Sequence, residues 1–173
     1  MAIDEPGLSD GGSQRATSRP FSAATAGGTF NTFHEGHREY LRIALGISDV
    51  VHISVTSDEF ARSLKSYHVR PYDVRCKELE VFLDSMGAAE RCVFHELSSE
   101  AELARFVIEN PLDVAVVEPR YLARFQELNQ QRRDEGRPEY CILLKPRTRV
   151  DGAEVSSTSL EVMRTQTPGR SSG

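Results

Sequence analysis

Two histidines, His34 and His37, stand three residues apart around Gly36, just after the run Gly27-Gly28-Thr29-Phe30-Asn31. An imidazole can donate a hydrogen bond to a phosphate oxygen near neutral pH. Glycines let an anion approach the main chain closely, and the free amides of a helix start attract negative charge. A strand passing into a helix through this segment makes a turn able to cradle a nucleoside triphosphate. The chemistry to expect is the handling of phosphate groups. The plain alternative for the same residues is a capping pair on a solvated turn.

The elements that must position this turn alternate in type. Residues 21–26 form a weak strand on propensity, supported by their place before the glycines. A helix follows from about Gly36 to Leu45, burying Tyr40, Leu41, Ala44 and Leu45. The β-branched run Val50–Val55 predicts a strand covered on both faces. Thr56 with Glu59 predicts a capping box for a helix holding Phe60, Ala61 and Leu64. Arg70-Pro71 opens another, with Val74, Leu79, Phe82, Leu83 and Met86 on one stripe and Gly87 as its stop. A strand at Cys92–Leu97 and a helix capped by Ser99 and Glu102 come next. Then follow a strand at Leu112–Val117, a long helix from Pro119 to about Glu135 stopped by Gly136, and a strand at Tyr140–Leu144. Ser156–Arg164 reads as a short last helix. Strands alternating with helices imply an α/β fold, a parallel sheet of about five strands with helices on both faces. In such sheets ligands sit beyond the carboxyl ends of the strands at the switch in strand order. The Gly27–His37 turn lies at that end of the first strand.

Composition narrows the classes. The chain has 173 residues, enough for one well-buried domain, expected over 20–164 with disordered tails at 1–19 and 165–173. A formal net charge of −5 argues against a protein that grips nucleic acid through bulk positive charge. There is no apolar run of 18 residues and no signal-peptide pattern, so a soluble cytoplasmic protein without a membrane partner is expected. Cys76, Cys92 and Cys141 are widely spaced and form no CxxC pair, which favours buried reduced thiols over disulfides or zinc. Only Lys65, Lys77 and Lys145 are lysines.

Gly28-Thr29-Phe30 followed by His34-Glu35-Gly36-His37 resembles the signature of the HxGH nucleotidyltransferases. The likeness is closest to the archaeal and eukaryotic type of phosphopantetheine adenylyltransferase. It extends through Val55-Thr56-Ser57-Asp58-Glu59-Phe60, Val69-Arg70-Pro71-Tyr72-Asp73-Val74-Arg75, Val116-Val117 with the long helix bearing Asn129 and Arg132-Arg133, and Val155-Ser156-Ser157-Thr158. It implies a Rossmann-like fold and transfer of an adenylyl group from ATP to 4′-phosphopantetheine, assisted by Mg²⁺, with no metal ligands from protein side chains. It implies His34 and His37 as the catalytic pair holding the α-phosphate. Gly28, Thr29, Phe30, Ser156, Ser157 and Thr158 would join them in binding the nucleotide, and Thr29 and Lys65 would bind the acceptor phosphate. CTP, another phosphate or phosphonate acceptor, or a non-catalytic nucleotide-binding role are the alternatives, and the oligomeric state is not fixed.

Two positions depart from that pattern. Asn31 stands where the family has Asp, removing a negative charge beside the phosphates. Glu161 stands where the closing motif has Arg, which puts a carboxylate where the β- and γ-phosphates need a cation. Arg164, Arg147 or Arg149 are the available replacements. Elsewhere the bland reading is the expectation. Ser156–Thr158 can serve as a plain N-cap cluster. His52, His68 and His95 read as structural or surface residues, and Arg132-Arg133 as the solvated end of a helix. Arg70 and Arg75 read as surface charges, though a cation on a first helical turn also suggests a local anion at Arg75.

Overall fold

The computed structural model describes residues 19–150 and 153–154. Five strands form one parallel sheet: β1 (Phe21–Gly28), β2 (Ser48–Thr56), β3 (Cys92–Leu97), β4 (Val114–Val117) and β5 (Cys141–Leu144). Their order across the sheet is β3-β2-β1-β4-β5. The connecting helices are α1 (Glu35–Ile47), α2 (Asp58–Leu64), α3 (Tyr72–Ser85), α4 (Glu100–Glu109) and α5 (Leu122–Asp134). A two-stranded antiparallel pair, β6 (Arg149–Val150) with β7 (Ala153–Glu154), follows β5. The tail at 165–173, the helix expected at 156–164, and with them Ser156, Ser157, Thr158, Glu161 and Arg164 lie outside the described residues. So does the first tail up to residue 18; Arg19 donates from Nε to the Leu45 carbonyl at 3.0 Å.

Each face of the sheet has its own core. Ala24, Ala26, Val51, Ile53, Val55, Val114 and Val116 pack against Leu41 and Ala44 of α1 and Leu79 and Leu83 of α3. Leu97, Ala115 and Val117 pack against Phe106 and Val107 of α4 and Leu128 of α5. The strand expected to be covered on both faces, β2, is buried or half-buried from Val51 to Val55, but only one of its faces is apolar. Its second face carries His52, Ser54 and Thr56, with the His52 Nδ1 and His95 Nε2 atoms 2.9 Å apart.

The chain moves from β1 outward to β3 and returns to β4 on the other side, so the switch in strand order falls between β1 and β4. Those two strands pair only at Ala24–Val114 and Thr25–Ala115, whereas β1 stays paired with β2 as far as Gly28–Val55. Beyond Thr25 the Tyr40 hydroxyl takes over. It accepts from the Gly27 amide at 2.9 Å and donates to the Val116 carbonyl at 2.6 Å. A side chain from α1 thus closes the split with the hydrogen bonds that the ladder lacks. Burial raises the Tyr40 phenol well above its ordinary range, so it stays protonated and able to donate.

Several expected details are displaced. Ser57, not Thr56, caps α2, its Oγ accepting from the Phe60 amide at 3.2 Å, because Thr56 is held in the ladder opposite Leu97. The Ser99–Glu102 box forms as expected, with the Ser98 amide also donating to Glu102. The long helix begins as a 3₁₀ turn at Pro119–Tyr121 before α5. On α3, Val74 and Met86 of the expected apolar stripe are exposed. The side facing the core includes Arg75, whose side chain is wholly buried. Its guanidinium donates to the carbonyls of Thr29 (2.6 Å), Thr56 (2.8 Å) and Arg70 (2.9 Å) and to Asp58 Oδ1 (2.9 Å). Arg132 is also buried rather than solvated. It donates to the carbonyls of Val107, Ile108 and Asn110, where a cation complements the end of α4. Cys76 and Cys92 are half-buried free thiols, and Cys141 is an exposed one.

Candidate active site

Beyond the carboxyl ends of β1, β2, β4 and β5 the protein opens into a cleft of about 310 Å³. It is built on the turn between β1 and α1. Phe30 adopts a left-handed backbone (φ 52°), a conformation that costs a non-glycine residue roughly 1–2 kcal/mol. That turn drives the Phe30 ring into the core, where it is 1% exposed and supports His37 at a ring-centroid distance of 5.0 Å. Phe30, expected on the nucleotide, lines the cleft with a ring that also belongs to the core.

His34 is the N-cap of α1 but makes no side-chain capping bond, so its ring is free for another task. The His34 and His37 rings stack with centroids 3.8 Å apart and planes 20° apart. Both line the cleft. Three of their four ring nitrogens, both of His34 and Nδ1 of His37, are shielded from solvent and have no protein partner. Burial, reinforced by His34, pulls His37 down to about 3, against a smaller opposing effect from its hydrogen bond to the Thr32 backbone. Burial also lowers His34, with Lys145 adding to the effect. Both rings are neutral at pH 7. A buried polar nitrogen without a partner is costly, which marks these atoms as waiting for an oxygen-rich ligand.

Gly36 makes the stacking possible. A Cβ there would stand 2.9 Å from His34 Cε1 and 3.0 Å from its Nδ1. Gly27 is similarly confined, a Cβ meeting Ser54 at 3.3 Å.

The other expected site residues converge here where they can be followed. Gly28, Thr29 and Lys65 line the same cleft. The Thr29 hydroxyl lies 3.3 Å from that of Thr56 and is fixed from behind by Arg75 on its carbonyl. Lys65 is the C-cap of α2, and burial lowers its ammonium, helped by Arg120 and Arg147 and opposed by Glu118. Asn31 belongs elsewhere. Its Nδ2 donates to the His68 carbonyl at 3.0 Å and its Oδ1 accepts from the Arg70 amide at 2.7 Å. An amide fits because it donates on one side and accepts on the other; the residue anchors the approach to α3 and does not tune phosphate charge.

Sequence reasoning missed several cleft residues, Lys145 and Thr148 after β5 and Glu118 with Arg120 after β4, and also Glu39 on α1, which pairs with Lys145 from outside the lining. One signal pointed to Lys145. It is one of three lysines and sits just past the carboxyl end of a parallel strand. Arg147, considered as a replacement cation, pairs with Glu118 at 3.3 Å, and Arg120 pairs with the same carboxylate at 3.1 Å.

On the far side of the sheet from α1 the cleft continues over Thr25, Ser54 and Thr56, walled by Leu97, Leu103 and Phe125. The Ser54 hydroxyl is buried there without a partner. This lobe is a narrow apolar trough with a hydroxyl floor.

A family model described as cytidylyltransferase-like matches residues 25–161. The phosphopantetheine adenylyltransferase of Methanopyrus kandleri is 32% identical over 141 residues, spanning 81% of this chain and 88% of its own length. That of Methanothermobacter thermautotrophicus is 33% identical over 143 residues, spanning 82% and 84%. Among solved structures, a protein of unknown function from Archaeoglobus fulgidus superposes with a TM-score of 0.62 at 23% identity, over 78% of this chain and 99% of its own. A bifunctional NMN adenylyltransferase/ADP ribose pyrophosphatase from Francisella tularensis gives 0.57 at 15% identity, over 83% and 41%. Both share the fold.

Proposed function

The chain belongs to the cytidylyltransferase-like family, and on that premise we propose that it transfers an adenylyl group from ATP to 4′-phosphopantetheine, giving dephospho-coenzyme A and pyrophosphate. The observation that carries this reading is the stacked pair of neutral imidazoles, with ring nitrogens shielded and unpartnered, in one cleft with Thr29 and Lys65. The archaeal relatives that bear this activity's name match over most of both chains.

The chemistry is a single in-line displacement. An oxygen of the acceptor's phosphate attacks the α-phosphorus of ATP, forming a new P–O bond. The bond from that phosphorus to the bridging oxygen breaks, and pyrophosphate leaves with the electron pair. His34 donates to the α-phosphate oxygens as charge accumulates on them, and His37, whose one neutral N–H is held by the Thr32 backbone, joins it from Nδ1 once the triphosphate's charge has drawn a second proton onto the ring. Neither forms a covalent bond. Thr29 and Lys65 hold the acceptor phosphate, and the rest of the acceptor lies in the trough over Thr25 and Ser54. Catalysis is positioning plus electrostatic stabilisation.

Mg²⁺ is expected to assist. Among the described residues no group of three or more His, Cys, Asp or Glu is arranged to hold a metal. In this reading the ion travels with the triphosphate, because phosphate oxygens and water are suitable ligands for so small and hard a cation.

Incubation with ATP, 4′-phosphopantetheine and Mg²⁺ should release pyrophosphate, and turnover no faster than a blank without protein would overturn the assignment. In an active preparation His37→Ala should lower kcat by about a hundredfold or more, the effect of removing one preorganised donor. Glu161 favours a second reading, the same transfer from CTP or to another phosphorylated acceptor. A nucleotide panel decides it, with higher kcat/KM on CTP supporting the change.

A further inference from the structure

Lys145 is a lysine in an unusual position. Its side chain is only 7% exposed, while the carboxylate that pairs with it, Glu39, is 47% exposed. The two approach to 3.0 Å. The Lys145 ammonium also donates to Thr148 Oγ1, and that hydroxyl donates in turn to Glu39. Thr148 Oγ1 lies 3.4 Å from where a Cβ on Gly36 would stand, so the triad abuts the turn that carries the histidines. The lysine lines the cleft together with both rings, and its charge is felt by each of them. A buried ammonium is expensive to keep unless an anion faces it. Here that anion is the more weakly held member, on a helix surface open to water.

The cleft poses a charge problem that this arrangement answers. The neutral imidazoles of the empty cleft carry no net charge, whereas a triphosphate brings about four negative charges at pH 7. Arg120 and Arg147 share Glu118. We propose that Lys145 is the cation that meets the β- and γ-phosphates and the departing pyrophosphate, and that Glu39 is its stand-in counter-ion, released to solvent when the nucleotide arrives. The exchange replaces a half-exposed ion pair with a buried one and leaves the released, half-exposed carboxylate to water. Glu39 is a positioning residue: it holds the ammonium aimed at the turn in the empty protein and competes with the triphosphate for it. This inference rests on the nucleotidyl-transfer reading of the same cleft.

The test separates the outer phosphates from the nucleoside monophosphate. ATP, AMP and inorganic pyrophosphate, each with Mg²⁺, are titrated calorimetrically into the full chain and its variants. Lys145→Met should weaken ATP and pyrophosphate at least tenfold and AMP less than twofold, and Lys145→Arg should restore most of the ATP loss. Glu39→Gln should tighten ATP severalfold, and the double variant K145M/E39Q, which leaves neither charge unpaired, should show the ATP defect while melting like the wild type. Unchanged ATP binding in Lys145→Met, equal losses for AMP and ATP, or a Glu39→Gln variant as weak as Lys145→Met would each overturn the proposal. Failure of the activity reads differently: a wild-type protein that binds ATP in this pattern but releases no pyrophosphate sinks the transfer reading and leaves Lys145 in its role. A wild-type protein that binds none of the three ligands overturns both.

Discussion

The His34 and His37 rings lie face to face, centroids 3.8 Å apart, over a glycine with no room for a side chain. Gly36→Ala would set a methyl group 2.9 Å from a His34 ring carbon. The ring can swing away at little cost to the fold, and alanine suits a helix better than glycine by up to about 1 kcal/mol. The variant should therefore melt within a few degrees of the wild type and lose activity by about tenfold or more. A stable G36A protein with wild-type kcat would show that the stacking has no catalytic value.

Stability should fall on mild acidification. His37 is held near 3 and His34, His52 and His95 also lie below their ordinary 6.5, in each case chiefly through burial. Below pH 6.5 the unfolded chain takes up protons that the folded protein resists, so stability present at pH 7 is lost as pH drops. The carboxylates that are depressed, Glu39 and Glu78, begin from an ordinary 4.5 and act only at lower pH. Urea midpoints measured between pH 7 and 5 thus report the histidines, and a flat profile in that range would contradict their neutral burial.

Binding of a triphosphate should draw protons in. Anionic oxygens against the two imidazoles favour their charged forms, so their affinity for protons rises on binding. Calorimetry at pH 6 in buffers of different ionisation enthalpy should show net proton uptake, reduced in His37→Gln. Identical heats in all buffers would mean that the rings remain neutral in the complex.

Tyr40→Phe tests the split between β1 and β4. Removal of the hydroxyl leaves the Gly27 amide and the Val116 carbonyl without partners where the sheet has no ladder bond to offer. A loss of about 1–3 kcal/mol is expected by chemical denaturation. Activity should fall as well, because Gly27 leads directly into the turn.

Arg75→Leu should be among the most damaging single changes. The guanidinium is wholly buried and joins the β1 turn, the end of β2 and the start of α2 through Thr29, Thr56 and Asp58. Its loss leaves several carbonyls and a carboxylate unanswered, at about 3–5 kcal/mol, visible as a large fall in melting temperature. Retention of wild-type stability would show that solvent satisfies those groups.

The sequence by itself determined the alternation of strands and helices, the parallel sheet and the place of the glycine- and histidine-bearing turn. These are local properties: period, caps, and Gly87 and Gly136 at the positive φ values where the third and fifth helices stop. It also determined that His34, His37, Thr29 and Lys65 were the side chains to follow. What only tertiary structure decided were the partners of charged groups and the site's supports. Arg75 and Arg132 read as surface cations because nothing local shows that strand ends and helix termini will converge on them with unpaired carbonyls. Asn31 read as a missing charge because the carbonyl of His68 and the amide of Arg70 reach it from about forty residues away in the chain. Lys145 and Glu39 are separated by more than a hundred residues, and only the packing of the segment after β5 against α1 makes them a pair. Periodicity is written along the chain, whereas a buried charge is defined by what the fold brings to meet it.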